Sequence, residues 1–162
     1  MKVAIIMGSD SDLPVVERSF RILKEFGVGT EVRVISAHRT PDEAVEFGKN
    51  AEKNGFDVII AAAGKAAHLG GIIAAVSIVP VIGLPIKSST LDGLDSLLST
   101  VQMPKGIPVA TVAIDGAENA ALLAIQILSV KDENLKIKLR EYRKKMAEEI
   151  NEKDKEIQQK LI

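Results

Sequence analysis

The sequence predicts a three-layer α/β/α sandwich, in which helices cover both faces of a parallel sheet of about five strands. Five short runs rich in Val and Ile are almost free of polar residues, which is typical of strands buried on both faces. Segments with helical periodicity lie between these runs, so strand and helix alternate along the chain. Such alternation indicates right-handed crossovers between parallel strands.

Turn residues bound each of the five apolar runs. The predicted strands are Val3–Met7, Thr30–Ile35, Val58–Ala63, Pro80–Leu84 and Pro108–Ile114. We expect them to form a flavodoxin-like or Rossmann-like sheet, because short parallel strands joined by helices are typical of these folds.

Two of the predicted helices have clear start and stop signals. The segment Leu13–Phe26 follows Asp12 as a candidate N-cap and ends before Gly27, a favourable residue just beyond a helix. The segment Pro41–Asn54 follows Thr40, and the order Thr-Pro-Asp-Glu has the spacing of a capping box with proline in the first turn.

The C-terminal segment differs from the rest in composition. Residues 131–162 contain ten basic and eight acidic side chains. An apolar stripe recurs at helical spacing through Leu135, Leu139, Tyr142, Met146, Ile150, Ile157 and Leu161. We expect a catalytic domain over residues 1–130 and a long amphipathic helix over 131–162 that packs between subunits. The alternative is a helix that lies on its own domain.

Composition excludes several classes of function. The chain has 162 residues, 46% of them hydrophobic, which suits one compact unit with a real core. Four Phe, one Tyr and no Trp leave too few rings to stack the bases of single-stranded nucleic acid. The balance of 21 basic against 22 acidic residues makes DNA binding unexpected. The absence of cysteine excludes disulfides, thiolate metal sites and thiol nucleophiles.

The apolar start of the chain turns polar at Gly8, which makes it too short for a signal peptide. No run of about 18 apolar residues follows. We therefore expect a soluble, cytoplasmic protein with no membrane partner.

Ligands of an open parallel sheet bind beyond the carboxyl ends of the strands, so the loops at those ends are the candidate site. The loop after the first strand carries Ser9, Asp10, Ser11 and Asp12 at the start of a helix. Hydroxyls and free N–H groups there suit phosphate, and a carboxylate suits ribose hydroxyls. The alternative is an ordinary helix cap.

The only two histidines of the chain lie in two other loops of this kind. His38 stands beside Arg39 after the second strand, which pairs a group that titrates near neutral pH with a phosphate clamp. His68 follows the third strand among small residues. The segment Lys87–Leu97 is a candidate closing rim, with a solvated turn as the alternative. No metal-binding or nucleoside-triphosphate motif is present, so we expect neither metal nor cofactor.

Taken together, these segments resemble the N5-carboxyaminoimidazole ribonucleotide mutase family of purine biosynthesis. The matching pieces occur in the family's order over roughly residues 2–130. They are Gly8–Asp12, Ser36–Pro41, Ala66–Leu69, Leu91–Leu97, Val101–Pro104, Pro108–Ile114 and Asn119–Ala124. The resemblance implies a carboxylate that moves from the exocyclic nitrogen to C4 of an aminoimidazole ribonucleotide, without cofactor, in a homo-octamer.

The resemblance also implies roles for individual residues. His38 would carry the proton and Asp12 would bind the ribose hydroxyls. Ser9, Ser11, Ser36 and Arg39 would bind the phosphate. The small-residue loop with Gly64, Ala66, His68 and Leu69 would enclose the imidazole and the carboxyl group in transit, and His68 would orient the carboxylate or the substrate.

Two positions and one segment depart from the family's usual pattern, and the segment is Asp115–Ala117, which looks about two residues shorter than in some relatives. Lys65 stands where the family has Gly, and Gly70 stands where it has Pro. A basic residue at position 65 resembles the sister branch of carboxylases that use free CO₂, whereas Arg39 and His68 resemble the mutase branch. We expect the mutase. The alternatives are the carboxylase and a non-catalytic nucleotide-binding module, because fold alone does not settle function.

Overall fold

The computed structural model describes residues 1–89 and 91–161, and within them five parallel strands form one sheet in the order β2-β1-β3-β4-β5. The strands are β1 (Lys2–Met7), β2 (Gly29–Val34), β3 (Val58–Gly64), β4 (Val81–Ile86) and β5 (Ala110–Thr111). This is the flavodoxin-like order, in which the chain reverses its winding direction between β1 and β3. The predicted fold class is confirmed.

Helices cover both faces of the sheet. They are α1 (Leu13–Phe26), α2 (Pro41–Asn50), α3 (Leu69–Val76), α4 (Leu94–Val101), α5 (Ala117–Ser129) and α6 (Glu133–Lys160). Short 3₁₀ turns at Asp10–Asp12 and Leu91–Gly93 precede α1 and α4. Helices α1, α5 and the start of α6 pack on one face, and α2 and α3 pack on the other. Within the described ranges, no helix is long and apolar enough to cross a membrane.

The central strands have the two-sided burial that their unbroken apolar sequences predict. In β1, Val3 and Ile5 face the α1 and α5 layer, and Ala4 and Ile6 face the α2 and α3 layer. All four side chains are fully buried. Apolar surface buried on both faces fixes the strand register, because a slip by one residue would exchange the two faces.

The last strand is much shorter than predicted. Only Ala110 and Thr111 pair with β4, although the apolar run extends over residues 108–114. The backbone N–H and carbonyl groups of Gly83 in β4 face β5, since the carbonyl accepts from the N–H of Val112 at 3.0 Å. Pro85, two residues further, points the same way and has no N–H to donate. The ladder therefore stops there.

Helix α2 is also shorter than predicted, because it ends at Asn50 instead of residue 54. Residues 51–54 form tight turns, in which the N–H of Ala51 already bonds to the carbonyl of Gly48. Gly55 then adopts a left-handed conformation with a φ of 75°, which directs the chain toward β3.

Helix α6 begins where the charged segment was predicted to become helical, and the side chain of Asp132 caps it by accepting from the N–H of Leu135 at 2.9 Å. Leu135 is buried, and Tyr142 lies against Phe26 with ring centroids 5.8 Å apart. Beyond this point the members of the apolar stripe are exposed. They are Met146, Ile150, Ile157 and Leu161. Packing on the same domain thus accounts for the first half of the helix only.

Candidate active site

A cavity of about 740 Å³ opens at the carboxyl ends of β1, β2, β3 and β4. The loop after each of these strands contributes to the cavity wall. All ten sequence-predicted site residues line the cavity, namely Ser9, Ser11, Asp12, Ser36, His38, Arg39, Gly64, Ala66, His68 and Leu69. The cavity lies where an open parallel sheet reverses its winding, which is the usual ligand position of such folds.

The loop after β1 presents two hydroxyls side by side. The N–H of Gly8 bonds to the carbonyl of Ala62 at 3.0 Å, which holds the loop against the end of β3. Ser11 donates its hydroxyl to the hydroxyl oxygen of Ser9 at 2.9 Å, and its N–H contacts the same oxygen at 3.3 Å. The 3₁₀ turn thus brings both serines to the cavity wall.

Asp12 occupies the N-cap position of α1, but its side chain forms no capping hydrogen bond. The carboxylate instead contacts the hydroxyl of Ser11 at 3.4 Å, and only 7% of the residue is exposed. Burial raises the pKa of Asp12 above its ordinary value, and hydrogen bonds from Ser11 and the backbone of Ser9 oppose that shift. Asp12 thus stands at the predicted cap position without capping through its side chain, whereas Ser9 caps the 3₁₀ turn by accepting from the N–H of Ser11.

Arg39 joins the loop after β2 to the loop after β1. Its Nη2 donates to the carbonyl oxygen of Gly8 at 2.9 Å. Its backbone N–H and its Nε donate to Ser36 Oγ at 3.2 and 3.3 Å. These bonds fix a guanidinium beside a serine hydroxyl, and both groups donate to phosphate oxygens elsewhere in proteins.

Thr40 is a positioning residue that the sequence interpretation missed. The predicted capping box does not form, because Thr40 makes no side-chain bond to the start of α2. Its hydroxyl donates to the carbonyl of Ser36 at 3.0 Å and accepts from the N–H of Ser36 at 3.1 Å. Both bonds close the loop that carries His38. The residue type was recognised, but spacing alone did not distinguish a cap from a loop clamp.

The two histidines lie in direct contact. His38 Nε2 and His68 Nδ1 are 3.0 Å apart, and the ring planes meet at 82° with centroids 5.1 Å apart. One ring nitrogen must donate and the other accept, so the proton position of one imidazole depends on that of its neighbour. Residues from two separate loops thereby form one unit that ligand can reach, since both side chains are exposed.

The loop after β3 forms the floor of the cavity. A Cβ on Gly64 would lie 3.4 Å from the carbonyl oxygen of Ile86, so a larger residue there would press on β4. Leu69 is 1% exposed and anchors the start of α3 in the core. Lys65 adopts a left-handed conformation with a φ of 56°.

The loop after β4 contributes side chains that were not predicted individually. Lys87, Ser88 and Ser89 line the cavity, whereas the rest of the predicted rim, residues 91–97, does not. Thr90 lies outside the described residues. The backbone N–H of Lys87 donates to Asp115 Oδ1 at 2.9 Å, so the loop before α5 fixes this part of the wall.

The charges of the cavity suit an anionic ligand. Arg39, Lys65 and Lys87 line it against the single carboxylate of Asp12. Within the described part of the chain, no group of three His, Asp or Glu side chains is arranged to hold a metal ion. The arrangement combines a phosphate-type cradle, a carboxylate for hydroxyl groups and a pair of imidazoles in contact with each other.

Comparison with known proteins gives consistent matches. The family model described as AIR carboxylase matches residues 2–149. The chain is 62% identical to N5-carboxyaminoimidazole ribonucleotide mutase of Pyrococcus horikoshii, with 97% of this chain and 89% of the relative covered. It is 54% identical to the protein of the same name from Thermotoga maritima, with 98% of this chain and 92% of the relative covered.

A solved structure agrees with this result. The crystal structure of Treponema denticola PurE superposes with a TM-score of 0.86 at 33% identity, covering 96% of this chain and 97% of that chain. The likeness therefore extends over almost the whole chain.

Proposed function

The chain belongs to the AIR carboxylase family, and we propose that the cavity at the carboxyl edge of its sheet is where it performs its reaction. The protein is an isomerase that interconverts N5-carboxyaminoimidazole ribonucleotide (N5-CAIR) and 4-carboxy-5-aminoimidazole ribonucleotide (CAIR) in purine biosynthesis. The observation that carries the proposal is that the histidine pair and the serine, arginine and aspartate side chains line one cavity.

The loops after β1 and β2 bind the ribose phosphate. Ser9 and Ser11 offer adjacent hydroxyls, and Arg39 is already held beside Ser36 by hydrogen bonds within the protein. Because these donors are fixed before the ligand arrives, binding costs little further ordering of side chains. Asp12 accepts from the ribose hydroxyls, which compensates for the burial of its carboxylate.

His38 carries the proton between the two halves of the reaction. Loss of CO₂ from N5-CAIR breaks the N–C bond, and the departing nitrogen takes a proton from His38. Attack of C4 on the same CO₂ forms the new C–C bond, and the proton released from C4 returns to His38. The same imidazole gives the proton in the first step and takes it back in the second, and His68 orients it or the carboxyl group.

The small residues after β3 enclose the CO₂ between its release and recapture. Gly64, Ala66 and Leu69 have small or apolar side chains, which leave room for a small neutral molecule beside the imidazole. Retention matters because recapture depends on CO₂ staying close to the nucleophilic carbon.

We place this enzyme in the cytoplasm as a homo-octamer. The exposed apolar stripe of the second half of α6 supports self-association, because a stripe of this kind is unfavourable in water. We keep residues 1–130 as the catalytic unit and the second half of α6 as a subunit contact.

The test is conversion of purified N5-CAIR to CAIR in buffer depleted of bicarbonate, followed by ultraviolet absorbance of the product. We expect turnover of N5-CAIR in both directions. A protein that ignores N5-CAIR and carboxylates aminoimidazole ribonucleotide (AIR) only with added bicarbonate would be the carboxylase. A protein that binds these nucleotides without converting any of them would be a binding module.

A further inference from the structure

We infer that Lys65 binds the carboxylate that moves in the reaction, as a second anion subsite separate from the phosphate cradle. This inference rests on the proposed function and adds a specificity-determining residue to it. The observation behind it is an unpaired lysine held in a costly backbone conformation at the cavity wall.

Lys65 lies in a backbone region that glycine adopts freely and that other residues rarely occupy. Its φ is 56°, and it directly follows Gly64 at the end of β3. A side chain in this conformation costs free energy because Cβ approaches the neighbouring backbone. Strained residues of this kind cluster at ligand sites, where the side chain or the local geometry has a use.

Other strained or basic residues around the cavity have internal partners. Asp115, with a φ of 54°, accepts from the N–H of Lys87. Arg39 is bonded to Ser36 and Gly8, and Lys87 Nζ lies 3.2 Å from Asp92. Lys65 is exposed and lines the cavity, and among the residues that the structure describes it has no ion pair or hydrogen bond through its side chain. Its ammonium is therefore available to a ligand anion.

The position of Lys65 matches the second of the two anions on the substrate. The phosphate cradle lies on the loops after β2 and β1, and Lys65 lies on the loop after β3, on the other side of β1 in the sheet. His38 reaches across to His68, which is three residues beyond Lys65. In the proposed binding mode, a heterocycle beside His38 therefore lies next to the loop that carries Lys65 and His68. Both N5-CAIR and CAIR carry a carboxylate on or beside that heterocycle, and an ammonium on this loop can donate to it as a charge-assisted hydrogen bond.

This role predicts an effect that depends on the carboxylate. Lys65→Met keeps most of the length of the side chain and removes its charge. In this variant we expect the dissociation constant for CAIR to rise about tenfold. The dissociation constant for AIR, which has the same phosphate and no carboxylate, should change by less than about twofold. Lys65→Arg should retain most of the affinity for CAIR.

Binding is measured by calorimetry in the His38→Asn background, where turnover does not interfere, and KM is measured in the otherwise unaltered protein. Lys105→Met is the matched control, since Lys105 is an exposed lysine that does not line the cavity.

Lys65→Gly separates the effect of the charge from that of the backbone strain: it should raise the melting temperature and still weaken CAIR binding. Unchanged CAIR affinity in Lys65→Met, or equal losses for CAIR and AIR, would overturn the carboxylate subsite. Failure of the unaltered protein to convert N5-CAIR would instead overturn the proposed function.

Discussion

At the scale of single residues, His38 and Arg39 are neighbours in sequence with separable tasks. His38→Asn removes the imidazole that carries the proton and keeps a polar side chain at this position. We expect kcat to fall by about 10²- to 10⁴-fold, because that is the usual contribution of a positioned proton carrier. Affinity for AIR should stay within a few-fold of the unaltered protein. Steady-state kinetics and calorimetry measure the two effects, and a turnover number within tenfold of the unaltered one would contradict the role of His38.

Arg39→Ala should have the opposite pattern. The guanidinium that contacts Gly8 and Ser36 is lost, so the phosphate loses a charged donor and the two loops lose their connection. We expect KM to rise by about 10- to 100-fold with a smaller change in kcat, since this interaction is made equally in the ground state and the transition state. Inhibition by ribose 5-phosphate gives an independent measure. A loss confined to kcat would mean that Arg39 acts on the chemistry and not on the phosphate.

Asp12 gives a prediction about pH and stability. Its pKa in the folded protein is raised by burial, so the folded state holds this proton more tightly than the unfolded chain does. Ionised Asp12 therefore costs stability above the raised pKa, and that cost disappears as the pH falls below the ordinary pKa of 3.8. Asp12→Asn should melt at a higher temperature than the unaltered protein at neutral pH, with the gap closing toward that acidic limit. It should also bind nucleotide more weakly.

Calorimetric melting of both proteins across this pH range tests the sign. A gap that widens toward acid would mean that hydrogen bonds from Ser11 and Ser9 outweigh the effect of burial.

The residue types of the site could be predicted from sequence, because parallel strands place their following loops at one edge. The contacts could not. That His38 Nε2 meets His68 Nδ1 depends on how far two loops lean toward each other, and no spacing within the sequence encodes that distance. The loop-closing role of Thr40 could not be predicted either, since a threonine before Pro41 has the same sequence pattern whether it caps a helix or closes a loop.

At the scale of secondary structure elements, Gly83 shows why β4 and α4 fit together. A Cβ at this position would collide with Cγ2 of Thr100 in α4 and lie 2.9 Å from Cγ1 of Val109. Gly83→Ala should destabilise the protein by about 1–3 kcal/mol, because the buried neighbours have little room to move. The second substitution Thr100→Ser removes Cγ2 and keeps the hydroxyl that donates to Ser96.

A double-mutant cycle by chemical denaturation isolates this contact. We expect Thr100→Ser to be less harmful in the Gly83→Ala background than alone. Additive effects would show that the collision is relieved elsewhere.

Central strands were predicted to within one or two residues because apolar runs buried on both faces have a clear signal. The length of the edge strand β5 was not predicted, since it depends on a missing N–H in the neighbouring strand β4. Pro85 looks like an ordinary strand residue until the sheet order reveals which neighbour it faces.

At the scale of the whole molecule, periodicity predicted α6 correctly but did not divide it into a packed first half and an exposed second half. Leu135 and Tyr142 pack on α1 and α5, as the alternative interpretation required. Met146, Ile150 and Ile157 continue the same stripe into solvent. The sequence pattern does not distinguish packing on the same domain from packing on a second chain. The whole stripe was therefore predicted to pack between subunits.

Removal of residues 147–162 tests whether the second half of α6 joins subunits. The helix is 28 residues and about 42 Å long, and the truncation leaves its packed first half, with the contact between Phe26 and Tyr142, in place. Burying the exposed stripe against other copies would stabilise an assembly through the hydrophobic effect, so the full chain should have the mass of eight chains by light scattering at micromolar concentration. We expect the truncated chain to shift to smaller species while its far-ultraviolet circular dichroism, corrected for the lost helix, is retained.

As a matched variant, Ile150→Lys and Ile157→Lys together should weaken assembly without shortening the chain. A monomeric full chain would contradict the octamer, and a truncated chain that still has the mass of eight would place the subunit contact elsewhere on the molecule.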